Sequence, residues 1–125
     1  MWKMYHQNMM ERCEHICDRI IKLDPKIRFV VATTDNGKPI ASRTRTGLVP
    51  IIGRKDGEVV LTEAALIIRM HREFDGTLGK VNYVIIKREK IAALMFSLGE
   101  DLLYVSCDLG SNLCKLGEKI ASKVK

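Results

Sequence analysis

Apolar residues near the N-terminus recur at steps of three and four, which predicts a helix with one buried face from about Trp2 to Leu23. The helix should end at Asp24, because the residue before a proline is disfavoured in the helical conformation. The residues of this predicted apolar stripe are Trp2, Tyr5, Met9, Cys13, Ile16, Cys17 and Ile20.

Two β-branched and apolar segments follow, at Ile27 to Thr34 and Lys38 to Thr44. Between them lies Asp35-Asn36-Gly37, in which Asn-Gly is the pair that supplies the positive φ angles of a tight turn. The pattern therefore predicts a β-hairpin.

The segment from Arg45 to Gly57 shows neither period and predicts a loop that is long and basic for a compact domain. It is not a phosphate-binding loop of the nucleotide-hydrolysing type, because five residues separate Gly47 from Gly53 and no Ser or Thr follows Lys55. The apolar residues within it, Leu48, Val49, Ile51 and Ile52, predict packing against the rest of the domain or against a partner.

A second helix is predicted from about Glu58 to Asp75, ended by Gly76. Its apolar residues cover more than one stripe, which indicates a second apolar neighbour besides a sheet, such as another subunit. The alternative is that residues 58–61 form a strand or a loop, which would narrow the apolar surface to an ordinary width.

Three strands are predicted at Val81 to Lys87, Ile91 to Leu98 and Leu102 to Cys107. The connections between them are too short for parallel pairing, so the strands form an antiparallel meander. The middle strand is apolar on both faces, which requires helices on both sides of the sheet. A last helix follows, in which Ser111 can act as the N-cap and Leu113, Leu116, Ile120 and Val124 recur at helical spacing.

The predicted fold class is therefore α+β: a five-stranded antiparallel sheet sandwiched by helices, in the order α-β-β-α-β-β-β-α. A chain of 125 residues is long enough for one core, so residues 1–125 are expected to form a single domain with the basic loop at about 45–57 as an insertion. No apolar run reaches the length of a membrane span, and no secretory signal is recognisable, so a cytoplasmic protein is expected.

The residues that bear chemistry form no recognisable catalytic or metal-binding pattern. Cys13 and Cys17 lie one turn apart with His6 and His15 nearby, but both thiols fall on the apolar stripe, where core packing explains them better than a metal does. The spacing ties no base to Ser106 or Cys107, so we predict no catalytic residue, no metal, no cofactor and no enzymatic activity. The four cysteines are expected to be reduced thiols.

At this point the chain resembles the roadblock family, which includes a dynein light chain and regulators of small Ras-like GTPases. The resemblance is carried by the turn at Asn36-Gly37, the helix around Ala64-Ala65-Leu66, the meander from Lys80 to Asp108, and the segment from Asp108 to Leu113 that leads into the last helix. It extends over about residues 9–124, in a roadblock or profilin-like architecture. The long basic loop departs from the short link that the family usually has there.

The resemblance implies a non-enzymatic scaffold or adaptor that forms a homodimer, or a heterodimer with a related domain, and that takes a small Ras-like GTPase as a candidate partner. Two sheets would join through the central helix and the first strand of the meander. The implied interface residues are Leu61, Ala64, Ala65, Ile67, Ile68, Val81, Tyr83, Val84 and Ile85.

Two alternatives remain open. The formal net charge is +6, and a basic surface that includes Arg43, Arg45, Arg54 and Lys55 would suit nucleic acid or another phosphate-bearing partner. The chain could instead sense a small ligand, with the apolar segment from Leu48 to Ile52 as a lid, although no polar groups converge on a recognisable pocket.

Overall fold

A five-stranded antiparallel sheet lies between two layers of helices in this computed structural model, which describes residues 2–110 and 112–124, with side chains from residue 7 onward. The elements are α1 (Trp2–Ile21), β1 (Ile27–Thr33), β2 (Pro39–Thr44), α2 (Arg54–Arg72), a short α3 (Asp75–Leu78), β3 (Val84–Lys87), β4 (Ile91–Leu98), β5 (Asp101–Asp108) and α4 (Leu113–Val124). The strand order is β2-β1-β5-β4-β3. The predicted fold class and element order are confirmed, with α3 as an addition.

Helices α1 and α4 cover one face of the sheet. Cys17 and Ile20 of α1 and Ile120 of α4 are completely buried there, together with Leu94 of β4. Of the predicted stripe, Trp2 and Tyr5 lie outside the residues whose side chains are described, whereas Cys13 and Ile16 are buried as expected. The helical period of α1 therefore corresponds to its buried face.

Helix α2 covers the opposite face of the sheet. Its buried residues, Leu61, Ala64, Ala65 and Ile68, pack on a cluster that includes Met95 of β4 and Tyr104 of β5. Because β4 contributes Leu94 and Phe96 to one face and Ala93 and Met95 to the other, the expectation that helices cover both faces is confirmed. The small alanine side chains let α2 lie close to the sheet.

The bounds of α2 differ from the prediction at both ends. The helix begins at Arg54, so the β2–α2 loop comprises residues 45–53 only, and the alternative of a strand or loop at 58–61 is wrong. The acidic residue Asp56 in the first turn favours the earlier start, because it complements the positive end of the helix dipole. At the other end, Gly76 does not terminate α2 but lies inside α3, after which Gly79 adopts a φ of 86°.

The β1–β2 connection is longer than the predicted tight turn. Only Gly37 has a positive φ, of 85°, whereas Asn36 does not. The side chain of Thr34 supports the turn, because its Oγ1 accepts hydrogen bonds from the N–H groups of Asn36 at 3.3 Å and Lys38 at 3.2 Å. The hairpin itself is confirmed by the antiparallel pairing of β1 and β2.

The first strand of the meander is shorter than predicted, since β3 begins at Val84 rather than Val81. The preceding residues leave the sheet toward α4, where the Tyr83 hydroxyl lies 3.1 Å from Oε1 of Glu118. At the start of α4, Ser111 lies outside the described residues, and Oδ1 of Asn112 accepts the N–H of Lys115 at 3.1 Å, which is the geometry of an N-cap.

Candidate interaction surface

The outward face of α2 carries large apolar side chains that its own domain leaves uncovered. Val59 is 51% exposed, Leu66 54% and Met70 63%. Their spacing of seven and four residues places them in one stripe on the side of α2 that faces away from the sheet. This stripe gives a physical basis to the excess apolar surface that the sequence indicated.

Strand β3 forms one edge of the sheet and pairs only with β4. Val84 and Ile86 pack against the cluster beneath α2, whereas Tyr83 and Ile85 pack on the α1 and α4 side, and all four side chains stay partly exposed. An edge strand with apolar residues on both faces is a surface to which another strand can add.

The backbone groups of that edge can be assigned from the register. The N–H of Arg88 donates to the carbonyl of Ile91 at 2.8 Å, which makes this pair a hydrogen-bonded pair of the β3–β4 hairpin. In an antiparallel ladder the direction alternates from residue to residue. The N–H groups of Ile85 and Lys87 therefore point away from β4, toward the open edge.

The nine predicted interface residues fall into two groups. Leu61, Ala64, Ala65 and Ile68 are buried within the chain's own core, while Ile67, Val81, Tyr83, Val84 and Ile85 are partly exposed. The sequence analysis missed the three outward residues Val59, Leu66 and Met70 as site residues. The signal that could have found them is the helical phase, because they lie opposite the alanines that a close approach to the sheet requires. The interface itself stays a prediction.

Two of the four predicted basic-surface residues are engaged within the fold. Nε of Arg43 lies 2.7 Å from the carboxylate of Asp18, and this hydrogen bond raises the pKa of Arg43. Arg45 donates to the main-chain carbonyls of Ile27 at 2.7 Å and Asp24 at 3.0 Å. The structure does not gather the four residues into one free cationic site.

The other two basic-surface residues point into solvent. The Arg54 side chain is 95% exposed, with Glu58 at 3.8 Å, and Lys55 is exposed as well. An ion pair this long and this exposed holds neither partner firmly. Phosphate binding through these residues stays a prediction.

Three of the four cysteines are core residues, and the fourth is on the surface. Cys13, Cys17 and Cys107 are buried, and Cys114 is exposed. Burial raises the pKa of Cys17 and of Cys107 to about 11, so both remain protonated and unreactive at neutral pH. Within residues 2–110 and 112–124, no group of three or more His, Cys, Asp and Glu side chains is arranged to hold a metal ion.

An open groove of about 700 Å³ lies where the β4–β5 turn meets the ends of α2 and α4. It carries charges of both signs, including Arg12, Asp35, Arg72 and Glu100. The Arg72 guanidinium is already committed, because it donates to the main-chain carbonyls of Glu100 at 3.0 Å and Gly99 at 3.3 Å. Ligand binding in this groove stays a prediction. No helix in the described ranges is long and apolar enough to cross a membrane.

Comparison with known proteins gives similarity in structure alone. No family model and no curated protein matches the chain. A Roadblock/LC7 domain from Streptomyces avermitilis has a TM-score of 0.67 at 13% identity, covering 89% of this chain and 90% of that one. The gliding protein MglB from Thermus thermophilus has a TM-score of 0.69 at 15% identity, covering 92% and 87%. A structure described as MglB with tetrameric arrangement has a TM-score of 0.66 at 15% identity, covering 92% and 89%. At such identities the likeness defines the fold.

Proposed function

We propose that this chain, which has the fold of the roadblock family, is a non-enzymatic scaffold or adaptor that works as a dimer and binds a protein partner. The single observation that carries the proposal is the uncovered apolar stripe of Val59, Leu66 and Met70 on α2. An aliphatic side chain that is half exposed regains a large part of its burial energy when a partner covers it, at roughly 25 cal/mol per Å².

The dimer uses α2 and the open β3 edge together. Two β3 strands pair side by side, so that two five-stranded sheets become one, and the outward N–H groups of Ile85 and Lys87 find acceptors. The two α2 helices then lie next to each other on one face of the joined sheet and meet through the side of α2 that carries the partly exposed Ile67, while the outward stripe stays open to the protein partner. The similarity to MglB with tetrameric arrangement supports self-association as a property that this fold accommodates.

A small Ras-like GTPase is the partner that we propose for the assembled dimer. The support for this class of partner is the family resemblance and not a recognition site on the chain.

Multi-angle light scattering across micromolar concentrations tests the dimer. The wild type should approach twice the chain mass of 14.2 kDa, and Ile67→Asp should restore the monomer because it places a charge at the contact between the two α2 helices. Val84→Asp probes the strand edge in the same way, with circular dichroism to verify folding, since Val84 is partly buried. The matched control is Leu78→Asp, at a side chain that is 80% exposed and lies outside both interface elements.

A monomeric wild type would contradict the assembly, and a dimer that survives Ile67→Asp would contradict the role of α2. The GTPase partner is tested separately, by titrating a panel of small Ras-like GTPases in each nucleotide state against the wild type and Leu66→Asp. Binding of no member would overturn the GTPase assignment and leave the dimer standing.

A further inference from the structure

The β2–α2 loop is held at one end of the sheet by a partly buried arginine. The Arg28 side chain is only 13% exposed, and its guanidinium donates both to the carboxylate of Asp108 at 2.9 Å and to the carbonyl oxygen of Val49 at 3.0 Å. Asp108 is the last residue of β5, and Arg28 is the second residue of β1. The loop is therefore fixed against the end of the sheet at which β1 begins and β5 ends.

The part of the loop that Arg28 holds presents aliphatic side chains to solvent. Val49 is 77% exposed, Ile51 52% and Ile52 46%. Pro50, between Val49 and Ile51, restricts the backbone. Single exposed apolar residues are common on protein surfaces, but three within four positions of one loop form a local apolar patch. The sequence left open whether this segment packs on its own domain or on a partner, and the exposure of these three side chains excludes close packing on the domain.

Exposed cations lie at the same end of the sheet. Lys26 directly precedes β1, and the β3–β4 turn contains Arg88 and Lys90, with one exposed acid, Glu89, between them. The pairing of Ile91 with Asp108 places that turn beside the end of β5, to which Arg28 also ties the loop. All three cations are exposed, and none takes part in the three ion pairs found among the described residues.

We propose that this end of the domain docks on an anionic lipid surface, with Val49, Ile51 and Ile52 inserted at the headgroup boundary and Lys26, Arg88 and Lys90 against lipid phosphates. Protruding aliphatic side chains gain free energy from the acyl region, and neighbouring cations gain it from the negative surface potential. A nucleic acid would use the cations alone, because single strands are held by aromatic stacking and these six residues include no aromatic ring. The inference does not depend on dimer formation.

The test is flotation with vesicles of phosphatidylcholine that contain about 30% phosphatidylserine, compared with vesicles of phosphatidylcholine alone. The wild type should float with the anionic vesicles and much less with the neutral ones, and added salt should weaken binding. Val49→Ser/Ile51→Ser should reduce the partition constant by about tenfold or more, which is well below the full burial value of two aliphatic side chains. Arg88→Gln/Lys90→Gln should reduce it by about 25-fold, at about fivefold per cation.

Matched controls lie away from the loop. Leu78→Ser removes a side chain that is 80% exposed on α3, and Lys38→Gln/Lys123→Gln removes two exposed cations from the β1–β2 turn and the last turn of α4. Neither should change vesicle binding beyond about twofold, because neither alters the proposed contact surface. Light scattering of every variant reports its assembly, so a change in vesicle binding is separated from a change in dimerisation.

Three results would overturn the proposal. The first is no flotation of the wild type with anionic vesicles. The second is a loss in Val49→Ser/Ile51→Ser no larger than in Leu78→Ser, which would leave only a general basic surface. The third is equal binding of a single-stranded oligonucleotide by the wild type and by Val49→Ser/Ile51→Ser, at an affinity above that for vesicles, which would assign this end to nucleic acid.

Discussion

Gly37 lies in the β1–β2 turn, where the turn packs against the backbone of α2. Replacement of Gly37 by alanine should therefore lower the free energy of unfolding strongly. A Cβ atom at this position would lie 2.7 Å from the carbonyl oxygen of Leu61 and 2.9 Å from Cα of Thr62. Both atoms belong to the backbone of α2, so the overlap can be relieved only if the turn and the helix move apart. The position also has a φ of 85°, which side chains of L-residues rarely adopt.

The two effects can be estimated separately. Holding an alanine in the left-handed region costs about 1–2 kcal/mol, and forcing a methyl group into a packed contact costs about 1–3 kcal/mol. The lower entropy of the unfolded alanine chain returns about 0.4–1 kcal/mol. The net loss of about 1–5 kcal/mol is large beside the total stability of about 5–15 kcal/mol that is typical of a small domain.

Gly47→Ala is the matched control, because Gly47 has a φ of 79° and, its chain neighbours aside, no atom of the described residues lies within 4 Å of the position of a Cβ. Gly47→Ala should therefore show only the free-energy cost of holding an alanine at a positive φ, without the cost of steric overlap. Urea denaturation followed by circular dichroism measures both variants against the wild type. If Gly37→Ala loses no more stability than Gly47→Ala, the close approach of the turn to α2 is refuted.

Two further predictions concern buried and exposed polar groups. Ser106→Ala should raise the free energy of unfolding by about 1 kcal/mol, because the buried Ser106 hydroxyl has no hydrogen-bond partner among the described residues. A loss of stability in urea denaturation would show that the hydroxyl is hydrogen-bonded in the folded protein. Of the four thiols, only Cys114 should react with a chromogenic disulfide reagent at about pH 8 in the folded protein, because the other three are buried. All four thiols should react in urea. Fast reaction of a second thiol without urea would contradict the burial of the others.

The order of helices and strands could be predicted from the sequence, because the spacing of apolar residues distinguishes the helical segments from the strands. The dual apolar character of Ile91 to Leu98 required helices on both faces, and short connections required antiparallel pairing. Boundaries were less accurate where tertiary contacts overrode local signals. Val81 and Tyr83 alternate as a strand would, yet the Tyr83 ring packs against Gly117 of α4, where a Cβ on the glycine would lie 2.9 Å from the ring.

The candidate surface was predicted in outline and not in its residues. An excess of apolar positions in α2 indicated two neighbours, but the side that faces the sheet follows only from the helical phase of the alanines, which the interface prediction did not use. The alanines were assigned to the interface, whereas Ala64 and Ala65 lie against the sheet and Leu66 faces outward. Likewise, the charge of Arg43 and Arg45 indicated a binding surface, but both side chains serve the fold.

Residue-resolved hydrogen exchange of the β3 amides tests the central claim, that two copies join through the open edge of the sheet. The N–H groups of Ile85 and Lys87 point away from β4, so only a second strand can protect them. The account predicts that both amides are protected at concentrations at which light scattering gives a dimer, and that they exchange freely after dilution to monomer. Unprotected exchange at Ile85 and Lys87 in a sample that is dimeric by mass would contradict it.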